Sequence, residues 1–154
     1  MRKFLLFFVA LITVLNFLQI KIYANERILK VEEVTYEDAQ RLMKLAQAEA
    51  GNQGIAGMSY VMRVVLNRVN DDDFPNTVKE VIEQPHQFES YANGSYQTAE
   101  PSIDCHLALA ELERGYTDDY EIIGFEVSTN NSLDRYFESS YIINDHIFYK
   151  KKED

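Results

Sequence analysis

The chain has 154 residues, which bounds it to one compact domain, and its 46% hydrophobic content suffices for a buried core, so disorder is excluded as the default. The formal net charge of −10 excludes a nucleic-acid partner, because phosphate neutralisation needs basic patches. A single cysteine, Cys105, excludes an internal disulfide framework.

The first residues read as an export signal. Arg2 and Lys3 precede an apolar run from Phe4 to Leu18, and Ala24 is a small residue at a cleavage point before Asn25. The run is short for a membrane span, which needs about 20 apolar residues. We read 1–24 as a signal peptide cleaved after Ala24, with an uncleaved anchor as the alternative. Residues 25–34 read as a linker and 35–150 as the folded domain. The expected location is outside the cytoplasm. Removing 1–24 takes away Arg2, Lys3 and Lys21 and no acid, leaving 12 bases against 25 acids, a net of −13. A polyanion is repelled by such a chain, so its cleft should bind mainly neutral groups such as sugar hydroxyls and acetamides.

The first predicted helix covers 35–50. Thr35 and Asp38 stand in capping-box spacing, and Gly51 is a natural C-cap residue. The second runs from about Gly54 to Val69, with Met58, Val61, Met62, Val65 and Val69 as its buried stripe. A polar turn at Asp71 to Asp73 leads to a short helix over 77–82, and 84–100 reads as a loop. Pro101 opens a fourth helix that ends at Gly115. On it Cys105 shares a face with Ala108, Leu109 and Leu112 and reads as a small core residue. Segments 121–128, 135–143 and 147–150 are rich in β-branched and aromatic residues and predict two or three strands. Helices first and a small sheet last is an α+β layout.

Glu49 is the informative acid. At 100° per residue Leu42 lies about 20° from it, Leu45 about 40° and Ala46 about 60°, while Gln40, Lys44 and Gln47 lie on the far side. A carboxylate on that apolar arc is costly unless it has a partner or a purpose. It also stands in the last helical turn, where the dipole is negative. Both disfavour the ionised form, and an acid that keeps its proton can give it to a leaving-group oxygen. Periodicity equally allows an ion pair with Arg63 or Arg68, and leaves the two readings open.

A set of motifs then runs in order along the chain: Ala48-Glu49-Ala50 followed by Gly54, Val65-Leu66-Asn67-Arg68-Val69, Phe74-Pro75-Asn76-Thr77, Val81-Ile82, Gln87-Phe88, Asn93-Gly94 and His146-Ile147-Phe148. In order and spacing these resemble the spore cortex-lytic cell wall hydrolases of the SleB/CwlJ type, over roughly 37–149. The resemblance implies a lysozyme-like α+β fold: a helical domain with a small C-terminal antiparallel β-sheet. It also implies glycan cleavage by a lytic transglycosylase route, with the Glu of Ala-Glu-Ala, here Glu49, as the catalytic residue. On the same resemblance 35–150 is expected to be a cell wall hydrolase catalytic domain, located in the cell wall, the spore envelope or the extracellular space.

The substrate-binding candidates are Thr77, Gln87, Phe88, Tyr91, Asn93 and Tyr96. Thr77 is also explained as a helix cap, and Phe88 equally as core packing. Asn67 and Arg68 read as structural, satisfying backbone groups or pairing with an acid. Asp71 to Asp73, Glu89 and Asp104 are the acids available to a two-carboxylate hydrolase. The family usually carries an aromatic-Asn-Pro stretch where this chain has Phe125-Glu126-Val127-Ser128-Thr129-Asn130.

The expected partner is peptidoglycan, strands of N-acetylglucosamine and N-acetylmuramic acid. An accessory spore protein is a second partner considered, and a monomer the expected state. No cofactor and no metal are expected. A zinc amidase would draw on His86, His106 and His146, but no His-Glu-x-x-His motif is present, and His146 reads as fastening the last strand to the core. The remaining alternatives are a hydrolytic muramidase and a non-catalytic glycan-binding protein of the spore envelope.

Overall fold

A computed structural model describes residues 34–117, 119, 121–130 and 132–152. The expected signal peptide and all of the linker but Val34 lie outside the described residues. The elements in chain order are α1 (Tyr36–Ala50), α2 (Gly54–Val69), α3 (Val78–Glu83), α4 (Glu89–Asn93), α5 (Ser95–Thr98), α6 (Ile103–Glu113), β1 (Ile122–Val127), a 3-10 turn (Leu133–Arg135), β2 (Phe137–Ile143) and β3 (His146–Lys151). This is the predicted α+β order with three strands.

Local chemistry sets the helix starts. Thr35 Oγ1 accepts the Asp38 N–H at 3.1 Å, and Thr77 Oγ1 accepts the Glu80 N–H at 3.2 Å, so each satisfies one otherwise orphaned donor. The end of α1 departs from expectation. Gly51 keeps right-handed helical geometry with φ −58, and the left-handed residue is Gly54 with φ +68, which opens α2. The chain therefore reverses over four residues rather than stopping at a glycine cap. The expected loop at 84–100 also differs, since it folds into α4 and α5, joined by Gly94 at φ +87. Both helices are shorter than any periodic signal can reveal.

Leu42, Leu45 and Ala46 of α1 and Met58, Val61, Met62 and Val65 of α2 are buried against one another. Burying each large member is worth roughly 1.5–3 kcal/mol. Cys105, Ala108 and Leu112 bring α6 into the same core. The Cys105 thiol donates to Met43 O at 3.5 Å and packs on Met58, and burial pushes it up from the usual thiol range, consistent with a core residue. The face of α1 expected to be polar is not simply solvated. Lys44 Nζ donates to Gln97 O at 3.1 Å, and Gln47 Oε1 accepts the Ser102 N–H at 3.0 Å.

The sheet is antiparallel, in the order β1-β3-β2, so the last strand is central. Phe125 pairs with Phe148 and Val127 with His146, while Ile143 faces His146 from the other side. Buried polar side chains of α2 tie this sheet to the helices. Arg63 Nε donates to Thr117 O at 2.7 Å and Arg68 Nε to Ile123 O at 2.6 Å. Asn67 Nδ2 donates to Asp119 O at 3.0 Å and to Ile122 O at 2.7 Å. These serve backbone carbonyls that would otherwise be buried without donors. This is the backbone role expected of Asn67 and Arg68.

A second knot closes the β1–β2 connection. Glu126 accepts from Ser132 Oγ at 2.7 Å, from the Leu133 N–H at 3.0 Å and from Tyr149 Oη at 2.8 Å. Burial pushes the Glu126 carboxyl up, but these donors outweigh it and hold it below the usual carboxylate range. Burial, with the same contact, pushes the Tyr149 hydroxyl above its usual range.

Two outcomes are expected. Asn67→Ala strips donors from two buried carbonyls and should cost about 2 kcal/mol in urea unfolding, against under about 0.5 kcal/mol for exposed Asp72→Ala. Because the Glu126 carboxyl sits low in the folded state, its contribution is present above the ordinary carboxylate range and lost as pH falls through the folded value. Glu126→Gln should therefore lower stability near neutrality and make it less dependent on pH in the acid range, as followed by thermal melts from pH 7 downward.

Candidate functional site

Glu49 is half-buried in the last turn of α1, on the arc where periodicity put it. Its Oε1 accepts the backbone N–H of Ser90, in the first turn of α4, at 3.0 Å. This bond ties the carboxyl to the start of α4. The expected alternative partner Arg68 is committed elsewhere: its Nε serves Ile123 O, and its guanidinium lies 5.0 Å from the Phe74 ring and 5.2 Å from the Phe88 ring. Burial pulls that guanidinium down to about 10, so it remains a cation at neutral pH.

The ring pair under Arg68 begins an aromatic wall. Phe88 lies 6.2 Å from Phe125, and Phe125 lies 5.3 Å from His146 and 5.8 Å from Phe148, centroid to centroid. Phe125 is half-buried. Phe88 is 2% exposed, so its ring packs within the wall and offers no surface of its own. Burial holds the His146 imidazole below its usual range, opposed by the charges of Glu49 and Asp145.

The other candidates divide by position. Tyr91 and Tyr96 form a ring pair at 5.5 Å, with Lys44 Nζ 5.5 Å from the Tyr96 ring centre. Both rings are half-buried, and Tyr91 follows Ser90 directly, so this pair adjoins Glu49. Gln87 is exposed on the approach to α4. Asn93 is exposed and spends Oδ1 on the Ser95 N–H at 2.9 Å, holding the α4–α5 turn. Thr77 caps α3 and bonds Glu80, a local task that accounts for both its contacts.

A cavity of about 650 Å³ lies elsewhere, lined by Val69 to Asp72, Phe74 to Asn76 and Glu80. Neither Glu49 nor its neighbours line it, and Lys151 bonds Asp71 and Asp73 at 2.7 Å each, so we place the chemistry at Glu49 and not there. His86 and His106 are exposed while His146 is buried. Among the described residues no group of three or more His, Cys, Asp or Glu is placed to hold a metal ion.

Sequence reasoning missed Ser90, Gln53, Phe125 and Glu126. Ser90 acts through its main chain, which no side-chain motif reports. Gln53 is a buried amide in a polar-looking turn. Phe125 falls within a predicted strand, whose pattern singles out no one aromatic residue. Glu126 had one visible signal: it stands where the family pattern breaks.

The profile of the cell wall hydrolase family matches residues 52–149, so Glu49 stands three residues ahead of the matched span. Cell wall hydrolase CwlJ of Bacillus subtilis (strain 168) is 38% identical over 77 residues, 47% of this chain and 54% of that protein. The chain thus spans about half the length of this curated relative. The catalytic domain of the germination-specific lytic transglycosylase SleB from Bacillus anthracis superposes with a TM-score of 0.66 at 24% identity, over 77% of this chain and 98% of that domain. The catalytic domain of the Bacillus cereus SleB protein gives a TM-score of 0.65 at 24% identity, over 75% of this chain and 91% of that domain. At that identity the likeness speaks for the fold, and it bears out a lysozyme-like helical domain with a small C-terminal antiparallel sheet. The family match covers well over half of the chain: it belongs to the cell wall hydrolase family, of the SleB and CwlJ type.

Proposed function

We propose that this protein is an exported enzyme that cleaves the glycan strands of peptidoglycan, in spore cortex hydrolysis or cell wall remodelling, with Glu49 as its single acid and base. The observation that carries the reading is the Glu49 carboxyl, bonded through Oε1 to the Ser90 N–H, two residues beyond Phe88 of the aromatic wall. Peptidoglycan as substrate is consistent with family membership and with the printed activity of the structural relatives.

The chemistry follows from one carboxyl group. Glu49 Oε2 gives its proton to the glycosidic oxygen as the bond from C1 of N-acetylmuramic acid breaks. The C6 hydroxyl of the same sugar then bonds to C1, and the Glu49 carboxylate takes the proton that this hydroxyl releases. The product is a 1,6-anhydro sugar, Glu49 regains its proton, and no water is consumed. The Ser90 N–H bonds Oε1 in either charge state, so the carboxyl need not turn between the steps. Tyr91 and Tyr96 supply stacking faces for neutral sugars.

A hydrolytic muramidase is the second reading, because such enzymes normally use two carboxylates. Asp71 and Asp73 are occupied by Lys151, and Asp104 lies exposed on the first turn of α6. Glu89 is the observation that favours this reading: it is exposed and adjoins Ser90 in the first turn of α4.

Glu49→Gln keeps the shape and the Ser90 contact but has no proton to give. It should lower lysis of purified sacculi by about 10²–10⁴-fold while melting normally and still sedimenting with sacculi. Lysis at the native rate would remove Glu49 from the chemistry. Mass spectrometry of the released muropeptides divides the rest: anhydro-muramic ends support the proposed route, reducing ends the muramidase, and freed peptides an amidase.

A further inference from the structure

The head of α2 and the end of β2 run side by side. Gln53, Gly57 and Tyr60 are spaced so that they share one face of the helix. The Asp145 N–H donates to Gln53 Oε1 at 2.9 Å, and Asn144 Nδ2 donates to Gln53 O at 2.6 Å. Gly57 faces Ile143, whose Cγ2 would lie 4.0 Å from a Cβ at that position. Tyr141 then meets Tyr60, with ring centres 5.6 Å apart and planes at 70°. Gln53 also closes on α1, because its N–H donates to Ala50 O at 2.9 Å, one residue beyond Glu49. Seven residues at about 1.5 Å each place Tyr60 about 10 Å along α2 from that anchor.

The ring pair is held from below. Tyr60 leans on the buried Phe148 ring at 5.3 Å, centroid to centroid. Tyr141 stands edge-on to Tyr60 and keeps 43% of its surface exposed. A ring already held by another ring loses little rotamer freedom when a ligand stacks on it. Charge narrows the class of ligand. The chain carries a net −10, but Gly54 to Met62 and Ser139 to Asn144 include no charged side chain. Such a strip has nothing to attract an ion. It suits a neutral, hydroxylated ring that lays its apolar C–H face on an aromatic one.

We propose that Tyr141, held by Tyr60, is a distal stacking site for a neutral sugar of the glycan strand whose bond is cut at Glu49. The occupant belongs to the same strand because the helix face that carries the pair begins at the residue bonded to Ala50. The inference rests on glycan strands as the substrate. It adds binding to the reaction and no chemistry. A strand long enough to reach from Glu49 to Tyr141 gains a contact that a shorter one lacks. That contact is the same in the ground state and the transition state, so it acts on KM and not on kcat.

The test uses the full chain and peptide-free glycan strands from sacculi, separated into short and long fractions. The native protein should cleave long strands with a KM roughly three- to tenfold below that for short ones, the range of one aromatic stacking contact. Tyr141→Ala should bring the two KM values together while melting normally, and Tyr141→Phe should keep them apart. In Glu49→Gln, used to hold strands without cutting them, the Tyr141 ring resonances should shift with long strands and stay in place with short ones. A length preference of native size in Tyr141→Ala overturns the proposal, and so do ring resonances that ignore long strands. Ring shifts that follow protein concentration without glycan would assign the face to a second copy and also overturn it. The reading of the function fails separately. A native protein that cuts strands of neither length defeats that reading, whereas cutting with equal KM on both lengths defeats the distal site alone.

Discussion

The structure depends on one constraint: backbone carbonyls entering the sheet are buried and find their donors on α2. Arg63, Asn67 and Arg68 give N–H groups to the carbonyls of Thr117, Asp119, Ile122 and Ile123. Ser59 adds a hydroxyl contact to Thr117. Apolar packing alone would let a three-stranded sheet slide over a helix, because burial is non-directional. Hydrogen bonds to named carbonyls fix register and distance. With the sheet held there, Phe125 packs on His146, and Arg68 is in place over Phe74 and Phe88.

How much of this was legible follows from the range of each interaction. The Thr35 and Thr77 caps act over three residues, and both are visible as spacing. The position of Glu49 on the apolar arc follows from helix geometry, and the amphipathic stripe of α2 likewise. What the sequence hides is made through space or through the main chain. The Ser90 N–H has no side-chain signature. Gln53 looks like a turn residue until Asp145, 92 positions later, folds onto it. Helices α4 and α5 span less than two turns each, too short for any period to emerge. The glycine expected to end α1 carries ordinary helical geometry because Gly54 performs the reversal.

Glu126 joins the local and the distant. The family pattern breaks at this segment, and the structure answers with a carboxylate that gathers Ser132, Leu133 and Tyr149. The wall carrying Phe125 is therefore braced by a charge in this chain. The acids of the Asp71 to Asp73 turn are likewise tied to the sheet, through Lys151. Among the described residues Glu126, Asp71 and Asp73 thus brace the sheet, whereas Glu49 stands on the apolar arc of α1 and accepts the Ser90 N–H.

The central claim is that this one carboxyl performs both proton transfers and that the sugar supplies its own nucleophile. Digestion of sacculi in ¹⁸O-enriched water, with mass spectrometry of the muropeptides, tests that most directly. Single-carboxyl chemistry predicts anhydro-muramic products with no ¹⁸O at C1. Release of reducing-end muramic acid carrying ¹⁸O at C1 at the first turnover would mean that water attacks, and would contradict it.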